Sequence, residues 1–158
     1  MKLLHTSDWH IGRSLFEFSL LDDQRAFFEQ LCQIIEEQKI DALLISGDIY
    51  DNPVPPADAV QLLDWFLTQL AARKLPVFAI SGNHDSPRRV SYGSYLFEQS
   101  GLYLAGQLKP QLQKITLCDS LGKINFFLLP YFVPAQVRLM YEDSSIHTST
   151  QALEAIID

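Results

Sequence analysis

The chain has 158 residues, 47% of them apolar and 20% charged, and carries a net charge of −7 with a pI near 4.9. That composition fits a soluble globular domain with one ordinary core and excludes both disorder and a membrane span. It also excludes passive nucleic-acid binding through surface charge, which needs a basic domain. A polyanion handled here requires positive charge from elsewhere, and bound divalent cations supply it locally.

At the N-terminus, MKLLHTSDWH holds one lysine and an apolar run cut short by His5 and Asp8, unlike a signal peptide. The expected location is cytoplasmic, with no membrane partner. Cys32 and Cys118 lack CxxC spacing and read as free thiols.

Three short apolar runs, 2–7 (KLLHTS), 40–46 (IDALLIS) and 76–81 (PVFAIS), read as buried parallel strands. Between the first two, 22–38 has Phe27, Leu31, Ile34 and Ile35 at helical spacing, with Asp22 or Asp23 as caps. Pro55 and Pro56 open a second helix over 57–73, its apolar positions being Val60, Leu63, Phe66, Leu67 and Leu70. The order is βαβαβ, which right-handed crossovers lay out as one parallel sheet. A shorter helix is predicted over 91–99, ending at Gly101.

Past Gly101 the texture changes to LYLAG, then LQKITLC and KINFFLLP around the turn DSLGK, so a second, partly antiparallel sheet is expected to begin here. PAQVRLMY and STQALEAIID read as helices. The division is a βαβαβ half over 1–105 and the start of a second sheet with flanking helices over 106–158. Ending on a helix after so few strands, the chain reads as the N-terminal part of a larger domain.

SDWH (7–10), SGDIYD (46–51) and SGNHD (81–85) each follow a predicted parallel strand. They share the carboxyl edge of the sheet, where open α/β folds gather their sites. The groups delivered there are Asp8, His10, Asp48, Asn83, His84 and Asp85, oxygen and imidazole donors that suit a divalent ion such as Mn²⁺ better than a soft metal. Gly47 and Gly82 precede key residues and allow sharp turns. A bland reading, strand-end residues that merely cap helices and turns, does not account for three such stretches in register.

In this order, DxH, GD and GNHD, the chain resembles the calcineurin-like metallophosphoesterase superfamily. The wording HTSDWHIG, SGDIYD and GNHDSP is similar to its SbcD-type nucleases, which work with an ATPase of the SbcC type. The resemblance implies an αββα four-layer sandwich, incomplete here because the C-terminal strands and cap are missing. It implies two divalent cations, Mn²⁺ first among them: Asp8 and His10 on the first, Asp48 bridging both, Asn83 on the second. Two dications about 3.5–4 Å apart need an anion between them, and Asp48 would be that anion. His84 would stabilise the transition state and protonate the leaving oxygen, with Asp85 orienting its imidazole.

The family completes its metal shells with further histidines, including a GHxH motif that does not occur here; His147, in SSIHTST, has no strand-like run before it. With three ligands for one cation and two for the other, weak binding at the second site and little activity from this chain alone are expected.

Other positions are weighed between function and structure. Arg88 and Arg89 are candidates for DNA phosphates or a solvated loop pair, and Asp51 for a site role or an ordinary turn before Asn-Pro. Trp9 is a candidate for base stacking or for packing over the loop, and His5 for a hydrogen-bonded residue near the site. Helices 57–73 and 91–99 match those that pair two nuclease chains in the relatives, with Val60, Tyr95, Leu96 and Phe97 as the surface; burial against the chain's own sheet is the other reading. The expected function is a DNA nuclease, cutting double strands exonucleolytically (3′ to 5′) and single strands or hairpins endonucleolytically, in DNA repair, recombination and replication. The rivals are an esterase acting on small phosphodiesters or phosphoproteins, and a metal-poor scaffold.

Overall fold

A computed structural model describes residues 1–157. Its centre is a parallel sheet of four strands, β1 (Leu3–Thr6), β4 (Ala42–Ser46), β5 (Val77–Ile80) and β6 (Leu102–Ala105), in the order β1-β4-β5-β6. β2 (Ser14–Leu15) and β3 (Phe18–Ser19) form a small hairpin after the first motif. β7 (Gln113–Asp119) and β8 (Gly122–Leu128) form a longer one around the DSLGK turn. Six helices complete the described chain: α1 (Leu21–Glu37), α2 (Ala57–Ala72), α3 (Pro87–Val90), α4 (Ser94–Glu98), α5 (Pro134–Tyr141) and α6 (Ser149–Ile157).

Alternation along the strands decides which side chains enter which core. Leu43, Ile45, Val77, Ala79, Leu102 and Leu104 meet α1 and α2 on one face. Ala42, Phe78 and Ala105 meet Ile115 and Leu128 of the β7–β8 hairpin on the other. There the Phe78 ring stacks between Tyr103 at 5.3 Å and Phe126 at 4.4 Å. Helices, parallel sheet and hairpin thus make three successive layers, while α5 and α6 share a small core of Val137, Ile146 and Ala152. No helix among the described residues is long and apolar enough to cross a membrane.

Four sequence expectations shift. Leu102–Ala105 does not open the second sheet; it joins β5 in parallel as the fourth strand of the first, with Val77 opposite Leu102. Its reason is burial on both sides, Leu102 and Leu104 toward the helices and Tyr103 toward the hairpin. The helix expected over 91–99 is two short pieces, α3 and α4, because Gly93 takes a left-handed φ of 71° between them. In α1 the buried set is Phe28, Leu31, Cys32 and Ile35, leaving Phe27 and Ile34 exposed. In α2 it is Ala59, Leu62, Phe66 and Leu70, which turns Val60 outward.

Candidate metal and catalytic site

The carboxyl ends of β1, β4 and β5 lie side by side, and the loops leaving them are stitched together by backbone hydrogen bonds. Asp8 N–H donates to the Gly47 carbonyl at 3.1 Å, and His10 N–H to the Asp48 carbonyl at 2.9 Å. Ile11 and Tyr50 form a short parallel bridge just beyond. Gln24 of α1 reaches back, accepting from Gly12 N–H at 3.0 Å and donating to the Trp9 and His10 carbonyls at 3.1 and 2.9 Å.

Three of the site residues hold left-handed backbone: Asp8 with φ 58°, His10 with φ 45° and Asp48 with φ 51°. Such conformations cost about 1–3 kcal/mol each for non-glycine residues and persist only where surroundings impose them. What they achieve is convergence. His10 Nε2 lies 4.0 Å from Asp8 Oδ1 and 3.9 Å from Asp48 Oδ2, too far for hydrogen bonds and close enough to share one cation. Donors each about 2.0–2.2 Å from a common ion stand roughly 3–4 Å apart.

The glycines make this approach possible. A Cβ on Gly82 would overlap Asp48 Oδ1 and the Asp48 backbone nitrogen. A Cβ on Gly47, whose φ is 88°, would come 2.8 Å from Gly82 Cα. The two glycines let the second and third motif loops touch, so Asp48 stands against the loop that carries His84. His84 N–H donates to Asp48 Oδ1 at 3.0 Å, which fixes that carboxylate and leaves Oδ2 toward His10.

His10, Asp48 and His84 form one cluster whose ligand atoms lie within 4.8 Å of one another. Their imidazoles meet edge to face, with centroids 4.7 Å apart. Asp8 is exposed and takes a hydrogen bond from the Ser7 hydroxyl. Asn83 is exposed between Gly82 and His84. His5 sits at the rim, its Nε2 2.8 Å from Ser46 Oγ.

Asp85 does not orient His84. Its carboxylate is 5% exposed and points under the loops, accepting from Ile49 N–H at 3.1 Å, Tyr50 N–H at 2.9 Å and Gly82 N–H at 2.8 Å. Three buried donors from two loops draw it inward, since each left unpaired would carry a desolvation cost. Asp85 therefore binds the β4 loop to the β5 loop. Burial, with the Asp85 charge next, pushes the Tyr50 hydroxyl up to about 12, so it stays protonated at neutral pH.

The imidazoles are steered by Asp51 instead. His84 Nδ1 lies 2.9 Å from the Asp51 carbonyl, an acceptor, which places the proton on Nδ1 and frees Nε2. The Asp51 carboxylate lies 3.5 Å from His10 Nδ1, a buried atom with no hydrogen-bond partner of its own. A ligand histidine commonly offers its second nitrogen to a carboxylate in this way. The Asp51 side chain thus faces His10 rather than standing free for substrate. In the sequence this role weighs evenly with that of a turn former; its one signal is its place three residues after Asp48.

Trp9 offers no surface to a base. It is 8% exposed, packed edge-on against Phe28 at 4.8 Å and Phe66 at 5.5 Å, with its indole N–H on Thr6 Oγ1. The two arginines diverge: Arg88 lines a recess beside Ser86, whereas Arg89 lines a groove against α2. His147 is not one of the residues of that cluster; its backbone N–H donates to Gln151 Oε1 at 2.9 Å in the turn before α6.

The residues fit a divalent cation. Their donors are carboxylate, amide and imidazole groups, and the buried, unpartnered His10 nitrogen beside Asp51 is the arrangement a coordinating histidine takes.

Comparison with known proteins agrees with this geometry. The family model described as calcineurin-like phosphoesterase matches residues 1–149. The SbcD component of the nuclease SbcCD from Staphylococcus saprophyticus is 34% identical over 158 residues, covering 99% of this chain and 41% of that protein. Its namesake from Staphylococcus epidermidis is 36% identical over 159 residues, covering 100% of this chain and 41% of its own length. The chain therefore spans about two-fifths of the curated relatives it matches. With a family match over nearly its whole length and the three motif loops converging on one sheet edge, the chain belongs to the calcineurin-like phosphoesterases.

Proposed function

We propose that this chain is the metal-holding N-terminal part of an SbcD-type DNA nuclease that hydrolyses phosphodiester bonds with two divalent cations, Mn²⁺ foremost. The observation that carries the reading is the convergence of His10 Nε2 with the Asp8 and Asp48 carboxylates at 4.0 and 3.9 Å, His84 beside them. Asp8 and His10 would hold one cation, Asn83 the other, and Asp48 both. Bound there, the cations would supply Lewis-acid activation of water and charge neutralisation at the phosphate.

The chain's own residues do the rest. Gly47 and Gly82 bring the loops together, and Asp85 keeps them together. Asp51 holds the Nδ1 proton of His84 against its carbonyl, which leaves Nε2 to carry a second proton to the departing oxygen. The acidic charge of the protein is offset at the site by the cations. An SbcC-type ATPase would be the partner that helps to hold DNA.

The test is hydrolysis of a 3′-labelled DNA duplex and of single strands by the wild-type chain, with and without Mn²⁺, beside Asp48→Ala. Weak Mn²⁺-dependent cleavage that Asp48→Ala abolishes is the expected result. Turnover of a generic phosphodiester without any DNA cleavage would move the chain to the small-substrate esterases.

Homodimerisation is part of the same reading. Val60, Leu63, Leu67, Tyr92 and Phe97 line an apolar groove of about 250 Å³ between α2 and α4, with Leu96 exposed at 72% nearby. Tyr95 instead faces the opposite side of α4, and Phe97 is half-buried against the main core, so the pairing surface centres on Val60, Tyr92 and Leu96. Light scattering should report a dimer for the wild type and a monomer for Val60→Asp; a wild-type monomer at high concentration would sink the dimer.

A further inference from the structure

Beyond β5, the sheet edge continues to β6, and the protein surface there changes character. A recess of about 480 Å³ opens beside the GNHD loop, with Ser86, Arg88, Lys109 and Tyr131 in its wall. A second recess of about 730 Å³ runs on from it, sharing Gln107 and Lys109 and adding Tyr95. Together they form one trough.

Its walls are fixed to the catalytic edge. Tyr131 N–H donates to the Ser81 carbonyl at 2.9 Å, and Ser81 Oγ donates to the Gly106 carbonyl at 2.7 Å. Gly106 N–H in turn donates to Ser91 Oγ at 3.1 Å. Ser81 stands two residues before Asn83, so Tyr131 is tied to the strand end that carries the site. Adjacent strands lie about 4.8 Å apart, and successive nucleotides of one strand rise about 3.4 Å. A step from β5 to β6 is therefore a step of one to two nucleotides.

The charge is also out of keeping with the chain. Of 12 lysines and arginines against 19 acidic residues in the whole sequence, Arg88 and Lys109 line this trough, while the Lys114 ammonium turns away, 5.7 Å from the ring of its cross-strand partner Phe127. The one carboxylate in its walls, Glu98, is engaged by Gln113 Nε2 at 2.6 Å. Interleaved with the cations are Tyr131, 51% exposed, and Tyr95, 77% exposed. Lys109 Nζ lies 5.9 Å from the Tyr95 ring centroid, a loose contact that leaves its donors free.

Cations that follow a backbone, interleaved with open aromatic faces, are the chemistry of single-strand binding. A duplex keeps its base faces stacked, whereas an unpaired strand offers each base to a ring. We infer that this trough carries the single-stranded DNA adjoining the scissile phosphodiester, with phosphates on Arg88 and Lys109 and bases against Tyr131 and Tyr95. The inference rests on the nuclease reading and names the strand geometry which that site takes.

The experiment is fluorescence anisotropy of a labelled twelve-nucleotide oligothymidine with the wild-type chain, in EDTA, across a sodium chloride series. Arg88→Ala and Lys109→Ala should each weaken binding severalfold and each lower the salt slope by about 0.7, one single-strand phosphate contact. Tyr131→Ala should weaken it about tenfold, the loss of one stacked base. Lys39→Ala, at the opposite end of β4, should change neither quantity. Unchanged affinity and slope in both cation variants, no binding by the wild type at low salt, or preference for a blunt duplex would each overturn the trough. If Mn²⁺-dependent cleavage persists through such a result, the nuclease reading stands without it; if cleavage is absent but the variants behave as expected, the nuclease reading alone fails.

Discussion

Asp85→Ala should lower the melting temperature of this protein by about 6–20 °C. The buried Asp85 carboxylate accepts three backbone N–H groups, from Ile49, Tyr50 and Gly82. Hydrogen bonds to a charged group are each worth about 1.5–3 kcal/mol, and stranded buried donors add their desolvation. A total of about 3–5 kcal/mol follows once neighbouring losses overlap, at roughly 2–4 °C per kcal/mol for a chain of this size. Asp85→Asn should fall between the two, because its amide keeps one acceptor but turns an NH₂ toward a buried N–H. Thermal unfolding followed by circular dichroism checks this. A near-normal melting temperature combined with lost catalysis would mean that Asp85 serves His84 after all.

The second large effect is on catalysis. His84→Gln should reduce DNA cleavage by about 10²–10⁴-fold, the usual worth of a positioned proton donor. The alkoxide leaving from DNA needs that proton; the phenolate leaving from a nitrophenyl phosphodiester departs without it. The same substitution should therefore cost the nitrophenyl substrate at least tenfold less than DNA. Mn²⁺ affinity should stay within about threefold, because His84 holds Asp48 through its backbone N–H, which glutamine keeps, whereas loss of a side chain that supports the metal ligands typically costs 10–100-fold. Equal losses on both substrates would assign His84 to charge stabilisation or metal binding and not to proton transfer.

Much of this is legible in the sequence, for a definite physical reason. Buried parallel strands are continuous apolar runs, so β1, β4 and β5 stand out, and whatever follows them must lie on one edge. That alone places Asp8, His10, Asp48 and His84 in one neighbourhood. β6 is harder: LYLA is equally apolar, but the alternating hairpin after it suggests a new sheet, and only pairing with β5 reveals its membership. Gly93 splits the helix expected over 91–99 through a left-handed backbone that the residue permits but does not announce.

The role of Asp85 is hidden by its neighbour. A carboxylate next to a histidine invites pairing of the two, yet Asp85 answers to N–H groups of Ile49 and Tyr50, 36 and 35 residues away. Trp9 shows the same limit, since the rings that enclose it come from α1 and α2. Motif spacing reports which groups share an edge; which way each side chain turns depends on unsatisfied groups and space contributed by distant elements.

Asp8, His10, Asp48 and Asn83 are proposed to hold divalent metal, and calorimetric titration with Mn²⁺ measures that binding. Wild-type protein should bind at least one ion, with any second site weaker, and Asp48→Ala should abolish measurable binding while retaining a cooperative thermal transition. Heat from Asp48→Ala indistinguishable from wild type, or no binding by either protein, would rule out a metal site at these residues.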